Sequence, residues 1–284
     1  MKRKLLSLLL IGVMVLGLTG CEEKKLSYAD ANATLELENE KIQITSEEIK
    51  KVYDDNIQNF KKNYFGKKIT FIGTVESVKE NSIVFNEGWE FELDGFNTCN
   101  IISSDLKAND EVIVVSWLFD AFGSTTTIRT QAGSNGSIIM MVDKNFTKDE
   151  LLSIAESFYK LYVFMEEEGR GLTYYNDKVA EGPKSARELG NKREYVAKYF
   201  EDYNFDKYVE DVKLLASKYP NLSTLEEELN SISKQTKEYS TKLLEAYSET
   251  GYNPSMTHDL VNLGKEIIQK NKNIKEKIIE EVSR

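Results

Sequence analysis

The feature that most constrains this chain is a change of hydrophobic period near its middle. Across residues 67–142 apolar side chains recur at every second position, whereas from residue 147 onward they recur at every third and fourth. A period of two lines one face of a strand, and a period near 3.6 lines one face of a helix. The chain is therefore predicted to be α+β in two domains, a small β-barrel followed by an all-α helical bundle. In KITFIGTVESV, Ile69, Phe71, Gly73 and Val75 share a face, with Gly73 where a strongly bent strand wants a glycine. SIVF and WEFEL follow, the latter alternating Trp89, Phe91 and Leu93 with Glu90 and Glu92; then come FNTCNIIS, EVIVVSWLFD, STTTIRT and IIMMV. Turn segments such as KAND, FG and GSNGS separate them.

The helical expectations are equally specific. One helix over residues 45–66 precedes the strands, opened by the capping-box pair Thr45 and Glu48, lined by Ile49, Val52, Tyr53, Ile57, Phe60 and Tyr64, and stopped at Gly66. After the strands, Thr147 and Glu150 repeat the capping pattern ahead of Leu151, Ile154, Phe158, Leu161, Tyr162 and Met165, in a helix read to residue 169. Helices are predicted over residues 184–203 and 205–219. In residues 222–248, Leu225, Leu229, Ile232, Thr236, Tyr239, Leu243 and Ala246 alternate at four and three, and Met256, Leu260, Leu263, Ile267, Ile274 and Ile278 nearly repeat this. TGYNPS between them predicts an antiparallel helical hairpin at the C-terminus.

The N-terminus carries an address. Lys2, Arg3 and Lys4 precede fourteen largely apolar residues, Leu5 to Leu18, and the charged EEKK follows Cys21. That stretch is shorter than the roughly 20 residues a spanning helix needs, and its layout is that of a secretory signal. Leu18-Thr19-Gly20-Cys21 resembles the lipobox of bacterial lipoproteins. The resemblance implies a diacylglyceryl group on the Cys21 sulfur, cleavage between Gly20 and Cys21, and a lipid anchor on the extracytoplasmic face of the cell membrane. Two acyl chains meet the requirement that stable anchoring takes more than one. Residues 22–44 are charged and lack a sustained apolar period, and are read as a flexible tether with a root-mean-square span of about 26 Å. The domain boundaries are thus 1–20 for the signal, 21–44 for the lipidated cysteine and tether, 45–145 for the helix and barrel, and 146–284 for the helical domain.

A second resemblance covers residues 45–143. Tyr64, Gly66, Lys67, Ile72, Gly73, Val75 and Val78, with Cys99 among the later strands and a turn from Lys107 to Asp110, are similar to the tRNA-anticodon-domain-like OB-fold family of bacterial secreted and lipid-anchored proteins. It implies an OB-like barrel. The long helical region that follows departs from that family.

Charge and rare residues bound the chemistry. Formal net charge is −10, and loss of the cationic signal makes it more negative. An acidic chain outside the cytoplasm disfavours nucleic acid as a partner, since phosphate binding depends on Lys and Arg. With Cys21 lipidated, Cys99 is the one remaining cysteine, without a disulfide partner and read as a core residue. His258 is the one histidine and falls in the first turn of the last helix. Asp202, Asn204 and Asp206 mimic the start of a calcium loop, but Lys207 and Lys213 stand where glycine and glutamate belong. GSNGS lacks the Lys-Ser/Thr of a phosphate loop. Trp117, Phe119 and Phe122 could form the aromatic platform of an OB fold, but residues 66–145 carry six basic and eleven acidic side chains. Tyr174, Tyr175, Tyr195, Tyr199, Tyr203 and Tyr208 crowd the helical region, where packing and recognition both favour tyrosine.

No convergent catalytic set, metal site or cofactor motif emerges. The expected function is a non-enzymatic, membrane-anchored module that binds an envelope protein or surface ligand. Two alternatives stay open: a hydrolase using a pair of carboxylates in a cleft, and a structural or exclusion factor that tolerates every surface substitution.

Overall fold

The computed structural model describes residues 33–38, 40–92, 100–103, 105–121, 128–131, 136–201, 205–248 and 251–284. The segment read as a signal, Gly20, Cys21, Cys99 and Phe122 lie outside these residues, as do Asp202 and Asn204. The fold is α+β, a predominantly antiparallel sheet with helices packed against it.

The first elements correct the sequence reading. Residues 33–44, read as the end of a tether, form a hairpin of β1 (Ala33–Leu37) and β2 (Glu40–Ile44) whose turn holds Glu38 at φ +33°. Between the charges, Ala33, Leu35 and Ile44 keep a period-two face that is buried, and β1 pairs onto β3 (Lys68–Val78). The helix expected over 45–66 is two, α1 (Ser46–Asp55) and α2 (Ile57–Asn63). Asn56 breaks it: its backbone is extended, and its side-chain oxygen accepts from the Gln58 and Asn59 amides. A short polar side chain that caps a new helix competes with continuation of the old one. The Thr45–Glu48 capping box forms as read.

β4 (Ser82–Phe85), β5 (Trp89–Glu92), β6 (Asn100–Ile102), β7 (Glu111–Ala121), β8 (Ile128–Gln131) and β9 (Ser137–Met141) complete the sheet. β3 pairs antiparallel with β1, β4 and β7; β5 pairs with β4 and, in parallel, with β8; β7 also pairs with β8 and β9. β6 runs parallel to β9. The predicted face of β3 is buried throughout, with the Phe71 ring 5.2 Å from Phe85 and 5.5 Å from Trp89. Ile49 of α1 and Phe60 of α2 belong to the same core. Glu90, which alternation points at solvent, is only 9 % exposed, and it accepts from Ser82 Oγ at 2.6 Å and Lys79 Nζ at 3.4 Å.

β7 is buried on both faces. Val112, Val114 and Leu118 join the core shared with α1 and α2, while Ile113 and Val115, with Ile138 and Met140 of β9, join the core of the helices. This is why VIVVSWL reads as a nearly unbroken apolar run. The helix that covers it, α3 (Lys148–Glu181), has 34 residues. It begins with the predicted Thr147–Glu150 capping box and continues past residue 169, where the sequence reading ended it.

The segment read as a helix over 184–203 is divided at Lys192 into α4 (Pro183–Asn191) and α5 (Arg193–Glu201). A 3₁₀ turn (Phe205–Tyr208) leads into α6 (Val209–Lys218), and α7 (Leu225–Ala246) and α8 (Thr257–Val282) follow. Every residue of the predicted α7 face is buried. Glu228 pairs with Lys277, and Gln235 with Glu266 and Lys270, so α7 and α8 run antiparallel as expected. α3 is antiparallel to α8 as well, with Lys275 2.7 Å from Glu166 at one end and Asn176 Nδ2 donating to the Val261 carbonyl at the other. Two glycine–asparagine pairs lock that contact. A Cβ on Gly169 would lie 3.2 Å from Asn271 Oδ1, and one on Gly264 would lie 2.1 Å from Asn176 Oδ1.

A tyrosine cleft as the candidate functional site

The C-terminal half of α3 builds the site. Arg170, Tyr174 and Lys178 recur at four, and Gly171 and Tyr175 follow one position behind, so all five lie along one helical stripe. α4 lies opposite with Ser185, Glu188 and Leu189, Lys192 stands at its C-terminal end, and α5 adds Tyr195 and Tyr199. Together they enclose a cleft of about 710 Å3. That is within the range of small-molecule sites. The bend at Lys192 carries α5 away from α4 and so points its tyrosines back at α3.

Two of these tyrosines are unusually open: Tyr195 is 65 % exposed and Tyr174 48 %. The others step inward. Tyr174 meets Tyr175 edge-on at 5.2 Å, Tyr175 lies 5.5 Å from Tyr199 and 5.3 Å from Phe200, and Phe200 lies 5.6 Å from the buried Tyr239. The exposed Tyr174 ring thus stands on a packed aromatic column, which fixes its orientation at small entropic cost. Gly171 is required for this. A Cβ there would fall 1.7 Å from the Tyr199 hydroxyl, so only glycine lets that ring lie on α3. Burial, then the neighbouring tyrosines, push the Tyr175 hydroxyl up, and burial followed by the Glu168 charge does the same at Tyr199. Both remain neutral hydrogen-bonding groups.

The rim holds three cations, each with a glutamate partner. Arg170 pairs with Glu166 at 3.0 Å, Lys178 with Glu181 at 3.0 Å, and Lys192 with Glu188 at 3.1 Å, each within a single turn. The Lys178 ammonium also sits 5.8 Å above the Tyr174 ring. Behind the wall, one carboxyl oxygen of Glu168 is buried with no hydrogen-bond partner. Burial, and then the adjacent Glu167, push this carboxyl up to about 7 despite Lys207.

A second, polar cleft of about 450 Å3 lies where β1, β2 and β3 meet α3 and α6. It holds two partly buried carboxylates, the feature a carboxylate hydrolase needs. Glu156 accepts from Lys68 Nζ at 3.0 Å and Thr70 Oγ1 at 3.1 Å, with Lys41 at 3.7 Å, while Lys68 also pairs with Glu36 at 2.6 Å. Asp211 accepts from Ser157 Oγ at 2.7 Å and pairs with Lys160 at 3.3 Å. Burial alone would raise Glu156, but Lys68, Lys41 and Thr70 outweigh it and hold the carboxyl below its ordinary value. General acid catalysis asks for the reverse. The arrangement is a clasp between sheet and helices.

The residues singled out in the sequence are dispersed. Trp117 is half-buried against the helical core, and its Nε1 donates to the Tyr159 hydroxyl at 2.9 Å, so α3 occupies the face on which a ligand would stack. The Phe119 side chain and Phe122 lie outside the described residues. His258 is exposed, 3.0 Å from Asn262 on its own helix. Among the described residues no group of three His, Cys, Asp or Glu side chains could hold a metal ion. Of the six tyrosines, four meet in the cleft; Tyr208 instead packs on Phe164 at 4.6 Å, and Tyr203 lies outside the described residues. Sequence reasoning missed Arg170, Lys178 and Lys192, although the four-residue spacing of Arg170, Tyr174 and Lys178 marks a shared stripe. Compared with known proteins, the chain matches no family model, no curated protein and no solved structure.

Proposed function

We propose that this chain is a lipid-anchored, extracytoplasmic binding protein that holds its ligand in the tyrosine cleft by non-covalent contact alone. The observation that carries the reading is a pair of exposed rings at the mouth of a concave site, Tyr174, which stands on a packed aromatic column, and Tyr195 across from it. Exposed aromatics on a rigid support are the usual anchors of recognition. The lipobox-like Leu18-Thr19-Gly20-Cys21 supports the anchor. From Cys21 to β1 there are only the residues 22–32, which even fully extended span about 40 Å. β1 thus stays within that distance of the anchor. The strands form an OB-like barrel in this proposal, supported by pairings that run β3–β4–β5–β8–β7 and return to β3. The barrel serves as scaffold, since α3 covers Trp117.

Two measurements test the proposal. Expressed in a bacterial host, the chain incorporates palmitate and stays in the membrane fraction, and Cys21→Ser loses both. A panel of small envelope-derived compounds, screened by thermal shift, yields at least one that raises the melting temperature of the wild type but not of Tyr174→Ala/Tyr195→Ala. Unchanged membrane partition of Cys21→Ser sinks the anchor, and compounds that stabilise both proteins equally sink the cleft.

A further inference from the structure

The charges around the tyrosine cleft specify what kind of ligand it takes. The chain as a whole is acidic, 47 Asp and Glu against 37 Lys and Arg, yet the described residues lining this cleft include three cations and one carboxylate, Glu188. Each cation has a glutamate within four residues; Lys192 and Glu188 are both open, 54 % and 50 %, whereas Arg170 is 52 % open but its partner Glu166 is mostly buried and is also held by Lys275. An exposed pair such as Lys192–Glu188 contributes little, so a ligand anion can replace that glutamate at small cost. Arg170 can engage a carboxylate, sulfonate or phosphate through two parallel hydrogen bonds. Lys178 stands over the Tyr174 ring, so the site for charge and the site for a flat apolar surface adjoin.

Resting on the reading of the cleft as a ligand site, we infer that it binds small amphipathic anions: a flat apolar body lies against Tyr174, Tyr195 and Tyr199, and its anionic group meets Arg170, Lys178 and Lys192. The same cations reject the quaternary ammonium ligands that aromatic cages otherwise favour.

The test compares three probes with one ring system: 2-naphthoate, neutral 2-naphthamide and (2-naphthyl)trimethylammonium. They are titrated calorimetrically into the full chain held in lipid nanodiscs, with empty nanodiscs as reference. Naphthoate binds at least tenfold more tightly than naphthamide, and the cation gives no saturable binding. In Arg170→Gln/Lys192→Gln the advantage of naphthoate falls to threefold or less while naphthamide is unchanged. Tyr174→Ala/Tyr195→Ala weakens both probes at least fivefold. Gly171→Ala, which removes one helix-interior glycine but displaces Tyr199, does the same without shortening any aromatic side chain. Near-ultraviolet circular dichroism checks that each variant keeps its fold. Equal affinity for naphthoate and naphthamide, both lost in the tyrosine variants, overturns anion selection and leaves the cleft as a site. Binding indifferent to all the variants overturns both.

Discussion

Glu168 is the residue whose replacement should change stability most distinctively with pH. Its carboxyl has one buried oxygen without a partner, and its pKa is raised from 4.5 to about 7 by burial and by Glu167, against Lys207. A group raised in the folded state is harmless below its unfolded value and costs stability as the pH rises through the folded one. At about 1.4 kcal/mol per pH unit, the interval from 4.5 to about 7 corresponds to about 3 kcal/mol lost by pH 8. Glu168→Gln cannot ionise and escapes that loss. Its uncharged amide is buried in the same place, so any packing cost is a constant offset at all pH values. Urea unfolding at half-unit steps from pH 4.5 to 8.5 should show the variant gaining on the wild type throughout the interval and then holding level. A difference that stays flat, or that grows only below pH 5, refutes the reasoning, because the wild-type carboxyl would then ionise as an exposed one does.

Other substitutions probe the contacts that shape the site. Gly264→Ala forces a methyl against Asn176 and should cost about 1–3 kcal/mol in urea unfolding; Asn176→Ala in the same chain should recover part of it, a coupling that a double-mutant cycle reads directly. Lys68→Met leaves Glu36 and Glu156 without their shared ammonium and should cost about 3–5 kcal/mol at pH 7. Because the Glu156 carboxyl is lowered in the fold, its contribution is present above pH 4.5 and disappears as the pH falls through the lowered value, so the Lys68→Met deficit should shrink in acid. Thr147→Ala removes the cap of α3 and should cost about 1 kcal/mol in thermal unfolding.

Much of the framework was legible in the sequence because it follows from local chemistry. The capping boxes at Thr45 and Thr147, the buried face of β3 and the apolar faces of α7 and α8 each depend on residues within a turn or two of one another. What escaped depends on contacts far along the chain. Residues 33–44 look like solvated linker until β3 is present to pair with β1. Asn56 looks like one more polar helix residue until its oxygen caps α2. The candidate site is the clearest case. Its tyrosines were visible as a group, but nothing local tells Tyr195 and Tyr199 that Gly171 has left room for them across the cleft. The cations were hidden for a different reason, since each has a glutamate three or four residues away and reads as an ordinary solvated pair.

The double-sided burial of β7 also bears on how the chain comes to be folded. Synthesis delivers the N-terminal strands first, and their inner core can close on α1 and α2 without waiting for the helices downstream. The outer faces of Ile113, Val115, Ile138 and Met140 cannot; they belong to a core whose remaining members all follow Thr147. For as long as α3 is still emerging, the nascent protein carries a greasy plateau on a finished sheet, a surface that invites other chains. A chain interrupted just after Val142 is therefore expected to be sticky where the complete chain is not.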